Sequence, residues 1–384
     1  MKFAHLADCH LGSWRHPALQ QLNLESFRKA IEICIKEKVD FILIAGDLFD
    51  SAYPPIEILK ETFYELKKLK EANIPCFIIA GSHDFSASGK TFLDVLEKAD
   101  FCKNVFNFEE RNEKILLNPV VYKNAAIYGY PGKKASMEIP ELRRTLLQDA
   151  PGFYKIFMLH TSIKSAIGSL PIDSISELEL PKADYYALGH LHVDYADGNF
   201  VYSGPIFPNN MQELEELKYG SFYLVDTSPS KYKKIELKIK EVEVIDLEIK
   251  NTLTATELIK AEIQKRNIQD KIVLLKLSGK LEKGKISNIN FKEIEELVMK
   301  KAFAFLKSTS QLAVEETKIE IEASDMDKIE EEIIKNYQST QSSDLTKLIP
   351  SLINAFSLEK QEDEKSAVFT DRLVLEIKKT LNLT

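Results

Sequence analysis

The 384-residue sequence predicts an α/β protein with two packed β-sheets flanked by helices, then a small second α/β domain and a helical tail. Three observations carry this prediction. Short continuous apolar runs alternate with amphipathic helices through the first half, which marks sheets covered on their faces. Later strands crowd together without helices, which favours two packed sheets over a single Rossmann sheet. Near residue 250 the pattern starts afresh. The length suits one large domain plus a smaller one.

Taken in order, "KFAHLA" (2–7), "FILIA" (41–45), "CFIIA" (76–80), "AAIYG" (125–129), "KIFML" (155–159) and "DYYAL" (184–188) read as strands that end in Gly, Asp or His. Between them, "NLESFRKAIEICIKEK" and "PPIEILKETFYELKKLKEA" have helical periodicity, the second with Ile56, Leu59, Phe63, Leu66 and Leu69 on one stripe facing its own sheet. "TFLDVLEKADF" (91–101) offers another helix. "NFVYSG", "GSFYLVD" and "KKIELKIKEVEVIDLEI" are the denser strands. They close a first domain over 1–245. A second, 250–335, follows as helix, strand, helix and strand: "TATELIKAEIQKRN", "KIVLLKLSGKLEKG", "NFKEIEELVMKKAFAFLKST" and "AVEETKIEIE". A polar linker, 336–344, leads to two apolar-faced helices in 345–384, the first carrying Leu345, Leu348, Ile349, Leu352, Ile353 and Phe356, with Pro350 placed to bend or restart it.

Composition excludes several classes. A 44% hydrophobic, 29% charged chain has the make-up of a soluble globular protein. No apolar run approaches the roughly 18 to 20 residues that span a bilayer, so no membrane association is expected. "MKFAHLAD" enters directly into a strand without a signal-peptide core, so the expected location is cytoplasmic. Cys9, Cys34, Cys76 and Cys102 lack paired spacing, which argues against a zinc ribbon and a disulfide framework. The net charge of −8 speaks against a whole-surface polyanion binder and permits a local basic groove or a metal centre that meets phosphate.

The chemical signal lies in the histidines. Five of seven fall in polar segments directly after strands: His10 in "ADCH", His83 in "GSHD", His160 in "MLH", and His190 and His192 in "LGHLH". Asp8 and Asp47 ("AGDLFD") occupy matching places. Residues at the C-terminal ends of adjacent strands converge, and imidazoles with carboxylates suit Mn, Fe or Zn. Each piece has an ordinary structural explanation as a cap or a core residue. Their ordered combination points to a metal site.

That order, D-x-H, G-D, G-x-H-D, H, G-H-x-H, resembles the calcineurin-like metallophosphoesterases. More narrowly, "HLADCHLG", "LIAGDLFDSAYPP", "GSHD", "YYALGHLH", "VYSGP" and "GSFYLVD" are similar to the SbcD-like nuclease subunits of DNA double-strand-break repair. The resemblance implies two Mn(2+) ions, one held by Asp8, His10 and His192, the other by His160, His190 and residue 82, with Asp47 bridging. It implies that His83 protonates or orients the leaving 3'-oxygen, with Asp84 orienting its imidazole. It also implies 3'-5' exonuclease and single-strand endonuclease activity on DNA, homodimerisation through helices near 56–101, a second domain that caps the DNA, and a tail that grips an SMC-like coiled-coil ATPase. The protein would associate with the nucleoid.

Two positions depart from the family pattern. Ser82 stands where the family has a ligating asparagine, and its hydroxyl is a shorter, poorer donor, so the second ion is expected to sit more loosely. Asp50 stands where some members have a histidine that helps process duplex ends, and reads otherwise as a cap for the following turn. His5 reads as core. Trp14, Arg15 and His16 read as either DNA contacts or surface. Lys271, Lys276, Lys280, Lys283 and Lys285 are candidates for phosphate contacts, with a solvated surface as the alternative. Two other functional readings stay open: a DNA- and ATPase-bridging scaffold with a weakened metal site, or a phosphodiesterase for a different diester.

Overall fold

The computed structural model describes residues 1–86, 89, 91–168, 170–228, 230–314, 348–358, 360–361 and 366–381. Two compact units, Met1–Ala313 and Val314–Thr384, are described separately.

Two six-stranded sheets make the body of the first unit. The first runs Ser230–Leu237, Gly220–Thr227, Lys2–Leu6, Phe41–Ala45, Cys76–Ile79, Lys103–Asn104, and the last four of these strands are parallel. The second runs Asp194–Asp197, Phe200–Ser203, Tyr185–Gly189, Tyr154–His160, Ala125–Tyr130, Val120–Tyr122, with its four central strands parallel. Phe3, Phe41, Leu43, Ile127, Ile156, Met158, Tyr185 and Val201 fill the space between the sheets. The outer face of the first sheet is closed by helices Pro17–Lys36 and Ile56–Glu71, through Phe27, Ile31, Ile58, Leu66 and Leu69. Strand interiors buried on both faces explain the unbroken apolar runs. The two-sheet architecture expected from the sequence is the one observed.

The Ile56–Glu71 helix departs from its expected stripe. Ile56 is 79% exposed, and Tyr53 and Tyr64 join it outside, while Ile58 turns in. The long run "KKIELKIKEVEVIDLEI" is also two strands. Ser230–Leu237 ends the first sheet, and Val242–Glu248 opens a third, paired in parallel with Ile272–Leu281. Ala304–Val314 completes that sheet, so the helix expected across 290–309 stops at Val298. Helices Thr252–Gln264 and Phe291–Val298 cover one face through Ile259, Ile263, Ile294 and Val298.

The third sheet is locked to the body. Ile272, Leu274 and Ala304 pack with Leu19, Leu22, Phe207 and Leu214. Lys276 Nζ lies 2.8 Å from Glu215, and Lys271 Nζ lies 3.1 Å from Glu241. These two lysines serve ion pairs within the protein. Trp14 is likewise structural, donating from Nε1 to the Pro208 carbonyl at 2.8 Å and packing in the same cluster.

In the second unit, helices Ile349–Phe356 and Ser366–Thr380 pack on each other. Pro350 falls in the first turn, where its missing N–H costs nothing, so it starts the helix instead of bending it. Phe356, Val368, Val374 and Leu375 remain exposed. The linker expected at 336–344, Leu345 and most of the strand expected at 313–322 lie outside the described residues. Among the described residues, no helix is long and apolar enough to cross a membrane.

Candidate metal centre

Five parallel strands deliver side chains to one edge of the two sheets. The Lys2–Leu6 strand leads to Asp8 and His10, Phe41–Ala45 to Asp47, Cys76–Ile79 to Ser82 and His83, Tyr154–His160 ends on His160, and Tyr185–Gly189 leads to His190 and His192. The chain turns sharply at these ends. Asp8 (φ 50°), His10 (φ 41°), Asp47 (φ 49°) and His190 (φ 96°) all hold left-handed backbone. Such conformations cost roughly 1–3 kcal/mol each and persist where the surroundings enforce them. Here backbone bonds do so: Asp8 N–H donates to Gly46 O (3.1 Å) and His10 N–H to Asp47 O (2.9 Å).

Among the described residues, potential ligand atoms converge in three clusters: Asp8 with His10 and His192, Asp8 with Asp47 and His160, and His10 with Asp50 and His83. Asp47 Oδ2 stands between the first two, 3.1 Å from His160 Nε2 and 3.6 Å from His10 Nε2. Ser82 Oγ is 3.5 Å from the same oxygen. Asp8 accepts the His190 backbone N–H at 2.9 Å, and the His190 ring meets that of His160 edge-on. His10, Asp47, Ser82, His190 and His192 border a cleft of about 340 Å³.

Three imidazoles share one arrangement. His10 Nδ1 lies 3.1 Å from the Asp50 carboxylate, His192 Nδ1 2.9 Å from the Glu213 carboxylate, and His160 Nδ1 3.0 Å from the Ala45 carbonyl. These partners only accept, so Nδ1 carries the proton in each ring and Nε2 turns its lone pair inward. His10 Nε2 and His192 Nε2 then face each other at 3.1 Å. His160 Nε2 is buried, makes no hydrogen bond, and faces the Asp47 carboxylate. Lone pairs brought this close repel unless a cation lies among them. The donor set, imidazole nitrogens and carboxylates with oriented outer partners, therefore fits divalent metal.

The electrostatics agree. Burial opposes the charge on His160, but Asp47 and Asp8 raise its pKa to about 10, so the position draws a proton in the absence of another cation. Burial also works against ionisation of Asp47, yet His160 and His10 hold its carboxyl well below the usual range. For His190, burial and then His160 lower the pKa to about 4, leaving the neutral ring that metal ligation requires.

His83 differs from the other candidate residues. It is 49% exposed, its ring meets His10 edge-on, and its Nδ1–H donates to the Asp50 carbonyl at 2.9 Å. Asp84 does not orient it, which corrects the expectation. The Asp84 oxygens accept the backbone N–H groups of Gly81 (2.9 Å) and Phe49 (3.2 Å), so this buried carboxylate ties the loop after Cys76–Ile79 to the loop carrying Asp47. Burial, with the Asp47 charge adding, pushes its pKa up to about 7.

Glu213 escaped the sequence reading. It lies on the Met211–Glu216 helix, capped by Asn210, whose side chain accepts the Glu213 N–H at 2.9 Å. The asparagine three residues before a glutamate is a helix-start signal, and nothing local ties it to a histidine. His5 is core: it is buried between the sheets with Nδ1 2.9 Å from the Tyr185 hydroxyl.

Residues 1–194 match the family model described as calcineurin-like phosphoesterase. The chain is similar to the DNA double-strand break repair protein Mre11 of Methanocaldococcus jannaschii, 30% identical over 321 residues that cover 77% of each chain. It is also similar to the proteins of that name from Saccharolobus solfataricus, 30% identical over 65% of this chain and 67% of the relative, and from Sulfolobus acidocaldarius, 29% identical over 73% and 75%.

Proposed function

The chain belongs to the calcineurin-like phosphoesterase family and is a metal-dependent phosphodiesterase, and from that premise we propose that it is a manganese-dependent DNA nuclease that processes double-strand breaks. The observation that carries the reading is the set of three imidazoles whose Nδ1 protons are committed outward while their Nε2 lone pairs converge around Asp47. In this reading Asp8, His10 and His192 hold one Mn(2+) and His160, His190 and Ser82 a second, with Asp47 shared. Ions in such a pair supply an activated water and offset charge on the phosphate.

The protein's own residues do the rest. Asp47 holds the two ligand clusters in register, because one of its oxygens serves both. His83 donates from Nδ1 to a fixed carbonyl, which leaves Nε2 to hold or deliver a proton to the leaving 3'-oxygen. Asp84 acts on the reaction through the backbone, by keeping the His83 loop against the Asp47 loop. Ser82 reaches less far than an amide and binds its ion more loosely. Cleavage would proceed 3'-5' on duplex ends and endonucleolytically on single strands.

Partners follow from the same reading. Exposed Tyr53, Ile56, Tyr64 and Val95 on and beside the Ile56–Glu71 helix suit a homodimer that presents two centres to one DNA. The third sheet, with exposed Lys283 and Lys285, caps the DNA, and the exposed apolar residues of the tail helices suit a groove on an SMC-like ATPase. The protein would act in the cytoplasm at the nucleoid.

The test is metal stoichiometry with Mn-dependent cleavage of a 3'-labelled duplex, beside His83→Ala and Ser82→Asn. Two ions and cleavage, lost on His83→Ala, are expected. One ion and no cleavage, restored by Ser82→Asn, would instead leave a protein that bridges DNA and ATPase.

A further inference from the structure

Asp50 touches two functional side chains with two different groups. Its carboxylate Oδ1 lies 3.1 Å from His10 Nδ1, and its main-chain carbonyl accepts the His83 Nδ1–H at 2.9 Å. The peptide itself is fixed. Asp50 N–H donates to Leu11 O at 3.3 Å, Leu11 N–H donates to Leu48 O at 3.0 Å, and Leu11 and Phe49 form a parallel bridge. Asp84 holds the neighbouring Phe49 N–H at 3.2 Å. A rigid backbone thus presents the carbonyl to His83 and the carboxylate to His10, with the same Oδ1 beyond hydrogen-bond reach of His83 Nδ1 at 3.9 Å, and the two rings meet edge-on with centroids 4.8 Å apart.

We propose that Asp50 is a positioning residue with two separable roles: its side chain sets the tautomer and orientation of the metal ligand His10, and its backbone carbonyl sets those of His83. The second role rests on the nuclease reading above; the first requires only that His10 bind metal. The arrangement follows from the acceptors. Neither the carboxylate nor the carbonyl can donate, so both histidines must place their proton on Nδ1 and present Nε2, His10 to the ligand cluster and His83 to the cleft that it lines with Ser82 and His190. The carboxylate also adds negative charge behind a metal-binding imidazole, which strengthens its donation. A histidine at position 50 would hold this place differently, since its side chain lacks a carboxylate acceptor.

The experiment titrates the metal-free full chain with Mn(2+) by calorimetry and compares wild type, Asp50→Asn and Asp50→Ala. Asp50→Ala is expected to weaken binding about 10- to 100-fold, the usual effect of removing an outer partner of a metal-bound histidine. Asp50→Asn keeps an oxygen for the same N–H and is expected to fall between the two. The Asp50 side chain is 38% exposed, so the fold should tolerate both changes, and unfolding of the metal-free proteins checks this. At saturating Mn(2+), rates are then measured on DNA and on bis(p-nitrophenyl) phosphate, whose leaving group needs little protonation. His83→Ala should depress DNA cleavage more than cleavage of the activated diester, whereas Asp50→Ala, which retains the carbonyl, should keep the wild-type ratio.

Wild-type metal affinity in Asp50→Ala would overturn the side-chain role. A ratio in Asp50→Ala that moves as it does in His83→Ala would overturn the carbonyl role. Wild-type protein that binds Mn(2+) and leaves DNA intact would refute the nuclease reading together with the role given to the carbonyl, while the titration would still decide the role of the carboxylate.

Discussion

Glu213 is the clearest place to perturb the centre without touching a ligand. Its Oε1 accepts the His192 Nδ1–H at 2.9 Å, and its Oε2 accepts the Asn209 N–H at 2.8 Å. Burial resists the charge on both partners, yet the contact lowers the Glu213 pKa and raises that of His192. Glu213→Ala removes a charge-assisted hydrogen bond worth about 1.5–3 kcal/mol. Loss of an outer partner usually weakens metal binding about 10- to 100-fold, or about 1.4–2.7 kcal/mol, so the two routes to the magnitude agree. The helix should survive, because the Asn210 cap accepts the backbone N–H of residue 213, which alanine keeps. Calorimetric titration with Mn(2+) reads the effect, with Glu213→Gln expected to lose less than Glu213→Ala because it retains an acceptor. Unchanged affinity in Glu213→Ala, with a normal unfolding transition, would refute the idea that Glu213 prepares His192 for metal.

Other outcomes follow from the same contacts. Metal should stabilise the fold: at Mn(2+) one hundred times its Kd, unfolding should cost about 2.7 kcal/mol more, the gain should shrink in His10→Ala, and a melting temperature indifferent to Mn(2+) would exclude a site in the folded protein. His5 tests the core: burial lowers its pKa to about 3, so below pH 6.5 the unfolded chain takes up a proton that the folded chain refuses. Stability from this group is therefore complete above pH 6.5 and is lost toward pH 3, at most about 1.4 kcal/mol per pH unit; denaturant unfolding of metal-free His5→Gln should show a shallower pH slope, and identical slopes would place the group elsewhere. Gly46→Ala would put a Cβ 2.2 Å from His160 Nδ1 at a φ of +89°, so it should both destabilise the fold and weaken metal binding, and wild-type behaviour in either measurement would contradict the packing.

The sequence reveals the candidate ligands and hides what orients them, and the division has a physical cause. Asp8, His10, Asp47, His160, His190 and His192 each end or follow a strand, and parallel strands bring such ends to one edge whatever the details of packing. Periodicity therefore predicts their meeting. The orienting groups obey no such rule. Glu213 reaches His192 from a six-residue helix whose position depends on the third sheet, through Leu214 and the Lys276–Glu215 pair. Asp84 follows His83 in the chain, and adjacency suggested a carboxylate–imidazole pair. The loop turns it inward, where two backbone N–H groups satisfy it. The carbonyl that does orient His83 belongs to Asp50, and no side-chain pattern records where a carbonyl points. The same limit accounts for the strand Ala304–Val314, whose first residues the sequence pattern assigns to a helix. In "NFKEIEELVMKKAFAFLKST" the helical spacing of Ile294 and Val298 runs into Ala304–Val314 with no proline or glycine between, and only pairing in the third sheet ends the helix. Local pattern thus places the atoms of the candidate metal centre, while long-range contacts choose their tautomers and angles. A substitution made at a ligand tests the first, and only one at Glu213 or Asp50 tests the second.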